Sequence, residues 1–175
     1  LDRFKVVNDG LGHEVGDRLL CHVARALTGC LRGSDSVARA EDDGFTVSRL
    51  GGDEFTVIAE AIDSVEDAAH VAQRLLDALT APLTIANDEI VISASIGISM
   101  YPTDDTDLDA LIRTADLAMY RSKSLGRGTY SFFSDDLRAA TAARISLEGS
   151  LRHAIERREF QLHYQPKGDL ATGRV

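Results

Sequence analysis

The sequence predicts an α+β fold, with a central, mainly antiparallel sheet flanked by helices. Three observations carry that prediction. Apolar residues recur at helical spacing in three separate stretches, the mark of amphipathic helices. They alternate strictly from Ile90 to Met100, the mark of a half-buried strand. Strand-like runs are punctuated by Gly51-Gly52 and by Asn87-Asp88, which read as hairpin turns. Helices interleaved with hairpins place helices over one or both faces of a sheet.

In chain order, "LDRFKVVNDGLGHEVGD" opens as a short amphipathic helix with Phe4 and Val7 inward, followed by a Gly-rich loop. Leu19, Leu20, Val23, Ala24, Leu27 and Leu31 then follow the helical period and predict a helix over about 14–32. "SVAR" at 36–39 is nearly repeated by "TVSR" at 46–49, either as a hairpin extension or as a chance repeat in β-prone sequence. Ser64 with Asp67 resembles a capping box ahead of a second helix over 65–80. "LTI" turns through Asn87-Asp88 into the long alternating strand. Thr106 with Asp109 caps a helix carrying Leu108, Leu111, Ile112, Ala115, Ala118 and Met119, and "GTYSFF" returns to strand. From about 135 the chain reads as one long helical connector, rich in Ala, Arg and Glu, leading into a strand and turn at "QLHYQPKGDLATGRV".

The 175 residues make one domain of ordinary size with some extra. At 44% hydrophobic and 27% charged residues, the composition is that of a soluble globular protein. No apolar run approaches the roughly 20 residues that span a bilayer, and no signal-peptide pattern opens the chain. A cytoplasmic placement is expected, any membrane tether belonging to a region upstream. The net charge of −9 argues against a footprint for duplex nucleic acid, although a few converging Lys and Arg would still hold a small anion. Cys21 and Cys30 lack metal spacing and read as free, mostly packed thiols. The abrupt start, without an initiator Met, and the abrupt end suggest a fragment of a longer protein.

The glycine turn is the chemical focus. Gly51-Gly52 by itself is a tight turn that needs positive φ, and turn carboxylates are usually just solvated. Alternatively, the glycines let a ligand approach the backbone while Asp53 and Glu54 hold a hard divalent cation, since Mg²⁺ takes one or two carboxylates plus substrate phosphates. Nothing within "VSRLGGDEFTV" separates these readings. The opening segment also supplies Lys5, Asn8, His13 and Asp17, groups of the kind that read a base and a phosphate. Lys123 and Arg127 lie one turn apart at a helix end, where cations also complement the helix dipole.

Together these segments resemble the GGDEF domain, the diguanylate cyclase family. Gly51-Gly52-Asp53-Glu54-Phe55 is the motif that names the family, and "DRFKVVNDGLGHEVGD", "SASIGISMYP" and "ADLAMYRSKSLGRG" match its flanking patterns in order. The resemblance covers about residues 1–133 and implies a nucleotide-cyclase-like palm. A GGDEF domain is expected at 1–134, with its first strand truncated, followed by a helical linker at 135–146. Residues 147–175, with "YQP" the sharpest piece, resemble the opening of an EAL domain, a cyclic di-GMP phosphodiesterase cut off before its metal ligands.

The resemblance implies the condensation of two GTP molecules into cyclic di-GMP by two domains facing each other as a homodimer, with Mg²⁺ or Mn²⁺ as cofactor. It implies Asp53 as metal ligand and proton acceptor, Glu54 as the adjacent acid, and the Leu1 carbonyl as a backbone metal ligand. Lys5 would offset phosphate charge, Asn8 and Asp17 would pair with the guanine edge, and His13 would lie close to the substrate. Gly51 and Gly52 would let backbone sit against the nucleotide, while Lys123 and Arg127 would hold its terminal phosphates. The family has a metal-binding Asp immediately before the position of Leu1, which lies outside this sequence. Arg32 and Asp35 have the type of an inhibitory cyclic di-GMP site, but sit ten residues too early, an offset that "AEDDGFTVSR" accounts for. A rival expectation is a silent GTP-binding module that tunes a downstream EAL phosphodiesterase in cis.

Overall fold

The computed structural model describes residues 1–32, 44–60, 62–85 and 88–165. Its helices follow the apolar period closely. α1 (Phe4–Leu11) buries Phe4 and ends at Gly12, whose N–H bonds the Asn8 carbonyl at 3.0 Å. α2 (His13–Arg32) lays Leu19, Leu20, Val23, Leu27 and Leu31 into the core. α3 (Val65–Thr80) starts where the capping box predicts: the Ser64 hydroxyl accepts from the Asp67 N–H at 3.1 Å. α4 (Leu108–Ser124) is capped one residue later than expected, because Asp107 rather than Thr106 accepts the first-turn N–H, from Ala110 at 2.9 Å. An Asp at that position also complements the helix dipole.

The α+β class holds, but among the described residues the sheet is divided into three two-stranded ladders. β1 (Phe45–Gly51) pairs antiparallel with β2 (Glu54–Ala59), and β3 (Leu83–Ile85) with β4 (Asp88–Ile90). β5 (Ile96–Ile98) runs parallel to β6 (Tyr130–Phe132), the exception to the antiparallel expectation. The predicted long strand over 90–100 is therefore split. The side-chain alternation survives the break, with Ile90, Ile92 and Ala94 buried and Val91 exposed. The backbone between β4 and β5 instead meets the N-terminus, where the Asp2 N–H donates to the Ser93 carbonyl at 2.8 Å. Asn87, the 36–39 repeat and Asp35 lie outside the described residues, as does the chain beyond Gln165.

The main core joins α1, α2 and α3 to Ile85, Ile90, Ile92 and Ala94. A smaller cluster joins Ala118, Phe133 and Leu137. α4 lies directly on β5, as tightly as the backbone permits. A β-carbon on Gly97 would overlap the Ala115 carbonyl oxygen and the Met119 nitrogen. Ser122, fully buried, bonds the Ile96 carbonyl at 2.7 Å and the Ser131 hydroxyl at 2.9 Å, which ties α4 to both strands.

The chain divides into two compact units, Leu1–Arg138 and the residues from Ala139 onward. α5 (Asp135–Glu156) is unbroken across the expected end of the linker at 146. The strand expected after it is not formed over 161–165. Leu162 and Tyr164 are exposed there, and no neighbouring strand among the described residues satisfies that backbone.

The cysteines are free, as expected, but only one is packed. Cys21 is exposed and Cys30 half-buried. Burial pushes the Cys30 thiol above its ordinary value, against the pull of the Arg74 guanidinium, which donates to the Cys30 carbonyl. Because the thiolate is the nucleophile, iodoacetamide near neutral pH is expected to modify Cys21 ahead of Cys30. Equal rates by peptide mass spectrometry would contradict this assignment of burial.

Candidate active site

The glycine turn closes the β1–β2 hairpin. Arg49 pairs with Phe55 and Gly51 with Glu54, the register slipping at Leu50. Gly52 has φ +52, a conformation that favours glycine. Arg49, absent from the sequence-based expectations, clamps the turn. Its Nε and Nη2 donate to the Gly52 carbonyl at 3.0 and 2.7 Å. Asp53 is thereby held with its side chain 40% exposed, and Glu54 beside it faces solvent.

The N-terminus lies against this turn. The Leu1 nitrogen donates to the Asp53 carbonyl at 2.8 Å and lies 3.7 Å from its Oδ2. Lys123 is half-buried in the last turn of α4. Arg127 is not on that helix, as its spacing suggested. It sits in the following loop with φ +69, flanked by Gly126 and Gly128 at +116 and +60.

Asp2 connects these pieces, and sequence reasoning gave it no role. It is 6% exposed. Ser95 donates to its Oδ1 at 2.7 Å, while Ser93 and the Gly128 N–H donate to its Oδ2 at 2.9 and 3.2 Å. Burial works to raise its pKa, but these three bonds hold it below the usual carboxylate range. The available signal was the pair Ser93 and Ser95, hydroxyls placed off the apolar face of an otherwise hydrophobic run.

Lys5, Asn8, His13 and Asp17 form a second group, on α1 and α2. Lys5, His13 and Asp17 are exposed. Asn8 is packed against Gly16, where a β-carbon would overlap its Oδ1 and lie 3.3 Å from Phe4 Cζ. Its Oδ1 is buried without a hydrogen-bond partner among the described residues. Among the described residues, no hydrogen bond or ion pair joins this group to Asp53 or Glu54. Arg32 closes α2, and its expected partner Asp35 lies outside the described residues. No three His, Cys, Asp or Glu side chains converge as a metal cage among the described residues. Asp53 and Glu54 are the paired hard donors at the turn.

The diguanylate cyclase, GGDEF domain family matches residues 1–129. The bifunctional diguanylate cyclase/cyclic di-GMP phosphodiesterase MucR of Pseudomonas aeruginosa is 42% identical over 95% of this chain and 23% of its own length. The cyclic di-GMP phosphodiesterase NbdA of the same organism is 38% identical over 100% of the chain and 21% of its own length. The chain thus spans about a fifth of the length of these relatives. Among solved structures, an EAL/GGDEF domain protein from M. capsulatus superposes with a TM-score of 0.67 at 43% identity, covering 77% of this chain and 80% of that one. No helix among the described residues is long and apolar enough to cross a membrane. With the family pattern matched over its first 129 residues and its motif at the tip of the hairpin, the chain belongs to the GGDEF domain family of diguanylate cyclases.

Proposed function

We propose that this chain is the diguanylate cyclase domain of a GGDEF–EAL signalling protein, condensing two GTP into cyclic di-GMP and pyrophosphate. The observation that carries this reading is the Leu1–Asp2 segment, whose Leu1 nitrogen bonds the Asp53 carbonyl at 2.8 Å while its Asp2 carboxylate bonds the Arg127 loop through the Gly128 N–H. Acids for a metal and cations for phosphates are thereby held on one short segment. The donors fit Mg²⁺ or Mn²⁺ arriving with nucleotide: two carboxylates and the Leu1 carbonyl supply hard oxygens, and phosphates complete the shell. Such a metal would make the attacking hydroxyl more acidic and stabilise charge on the leaving oxygen.

The remaining work falls to the chain itself, since phosphoryl transfer rests on positioning and charge neutralisation. Lys5, Lys123 and Arg127 neutralise phosphate oxygens. Gly51 and Gly52 present backbone without side-chain bulk. Asp17 accepts from the guanine N1 and N2 donors, and Asn8 supplies the amide beside it, with His13 at the edge of the pocket. One chain holds one GTP, so two copies face each other. Each 3′-oxygen bonds to the other nucleotide's α-phosphorus, the bond from that phosphorus to the β-phosphate bridge breaks, and the hydroxyl proton passes to Asp53. Such a GTP-consuming domain would work in the cytoplasm. Asn8→Ala and Asp17→Ala are expected to weaken discrimination of GTP over ATP about tenfold, the scale of one or two lost base hydrogen bonds. Unchanged selectivity in both variants would overturn the base-reading assignment.

A second reading has its own support. NbdA, similar over the whole chain, is named a phosphodiesterase. The chain would then bind GTP without turnover and regulate an EAL phosphodiesterase in cis. Incubation with GTP and Mg²⁺, of this chain and of the longer protein, separates the readings. Cyclic di-GMP detected by mass spectrometry establishes the cyclase. GTP bound by the longer protein with no product establishes the regulatory module.

A further inference from the structure

We infer that Asp2 is a positioning residue that holds the Arg127 loop in register with the acids of the glycine turn. The inference rests on the nucleotide reading above. A buried carboxylate is costly unless its oxygens are satisfied, and Asp2 is satisfied by three donors from two distant parts of the chain. Ser93 and Ser95 anchor it to the backbone between β4 and β5, and the Gly128 N–H brings the loop after α4 to the same carboxylate.

Arg127 lies between two restraints. Its own N–H is bonded to the Ser122 carbonyl at 3.2 Å, and the next N–H, of Gly128, is bonded to Asp2 at 3.2 Å. A non-glycine residue at φ +69 persists only where its surroundings over-determine it. Asp2 supplies the restraint on the C-terminal side. Asp2 also follows Leu1, whose N lies 2.8 Å from the Asp53 carbonyl. One segment therefore contacts the metal-binding turn through Leu1 and the phosphate-binding loop through Asp2, and a shift of either is felt by the other.

The test compares GTP with GMP, because the Arg127 loop serves only the terminal phosphates. Titration calorimetry on the longer protein with Mg²⁺ is expected to show Asp2→Ala binding GTP about tenfold more weakly, the scale of one lost charged hydrogen bond. GMP affinity should change less than about twofold on the same grounds. Arg127→Ala should show the same pattern, and the double variant should bind no worse than the weaker single one. Asp2→Asn should recover part of the loss, since its carbonyl oxygen still accepts from Gly128 while its amide donates to a serine hydroxyl. If Asp2→Ala does not fold, as judged by circular dichroism, Asp2→Asn and Ser93→Ala carry the comparison. Equal losses for GTP and GMP, additive losses with Arg127→Ala, or unchanged GTP binding would each overturn the positioning role alone. Absence of GTP binding by the unaltered longer protein would overturn the nucleotide reading and this role with it.

Discussion

Asp53→Ala is expected to abolish cyclic di-GMP formation while leaving the fold intact. The structural half of this expectation follows from what holds the turn. Arg49 bonds the Gly52 carbonyl and Leu1 bonds the Asp53 carbonyl, and neither contact uses the Asp53 side chain. The Asp53 side chain is 40% exposed, so the contacts it loses contribute little in water. The melting temperature should therefore move by no more than about 2 °C. On the proposed chemistry, the same substitution removes a metal ligand and the proton acceptor. Metal coordination supplies several kcal/mol of transition-state stabilisation, and each ~1.4 kcal/mol is tenfold in rate. Turnover should fall about a thousandfold on that scale. A coupled pyrophosphate assay on the longer protein, with thermal melts alongside, checks both halves. Undiminished product would remove Asp53 from the chemistry, and a collapsed melting temperature would make it a structural residue instead.

Gly97→Ala is expected to be the most damaging single-methyl addition in the first unit. The added carbon would meet backbone of α4, the Ala115 oxygen and the Met119 nitrogen, with Met119 Cα at 2.9 Å. Flexible side chains can step aside at such a contact, but helix backbone cannot, and Ser122 fastens the same helix to β5 and β6. Overpacking of this kind costs about 3 kcal/mol, equivalent to a melting temperature lower by roughly 6–12 °C for a chain of this size. Lys123 rides on the last turn of α4, so weaker GTP binding should accompany the loss. A melting temperature unchanged within about 2 °C would mean that α4 can stand off from β5, contrary to the packing described.

These two positions also show how legible the protein is. The glycine turn and its acids could be read directly, because a hairpin tip and its two carboxylates are contiguous. α2 and α3 could be read for a similar reason, since their apolar period, and for α3 the Ser64 cap, are written in residues a few places apart. The long strand over 90–100 could not. Its alternation is real, but whether a stretch forms a ladder depends on what lies beside it, and between β4 and β5 that neighbour is the N-terminus. The same holds for the Asp2 carboxylate, whose partners lie 91, 93 and 126 residues away. No window of sequence contains both ends of such a bond. Gly97 and Gly16 read as ordinary glycines until α4 and α1 are seen packed against them. The sequence by itself determined the helices, the hairpin tip and the family's reactive groups, because periodicity, caps and turns are local physics. Only the tertiary structure decided which of those groups meet, because burial and hydrogen bonding join residues that the chain keeps far apart.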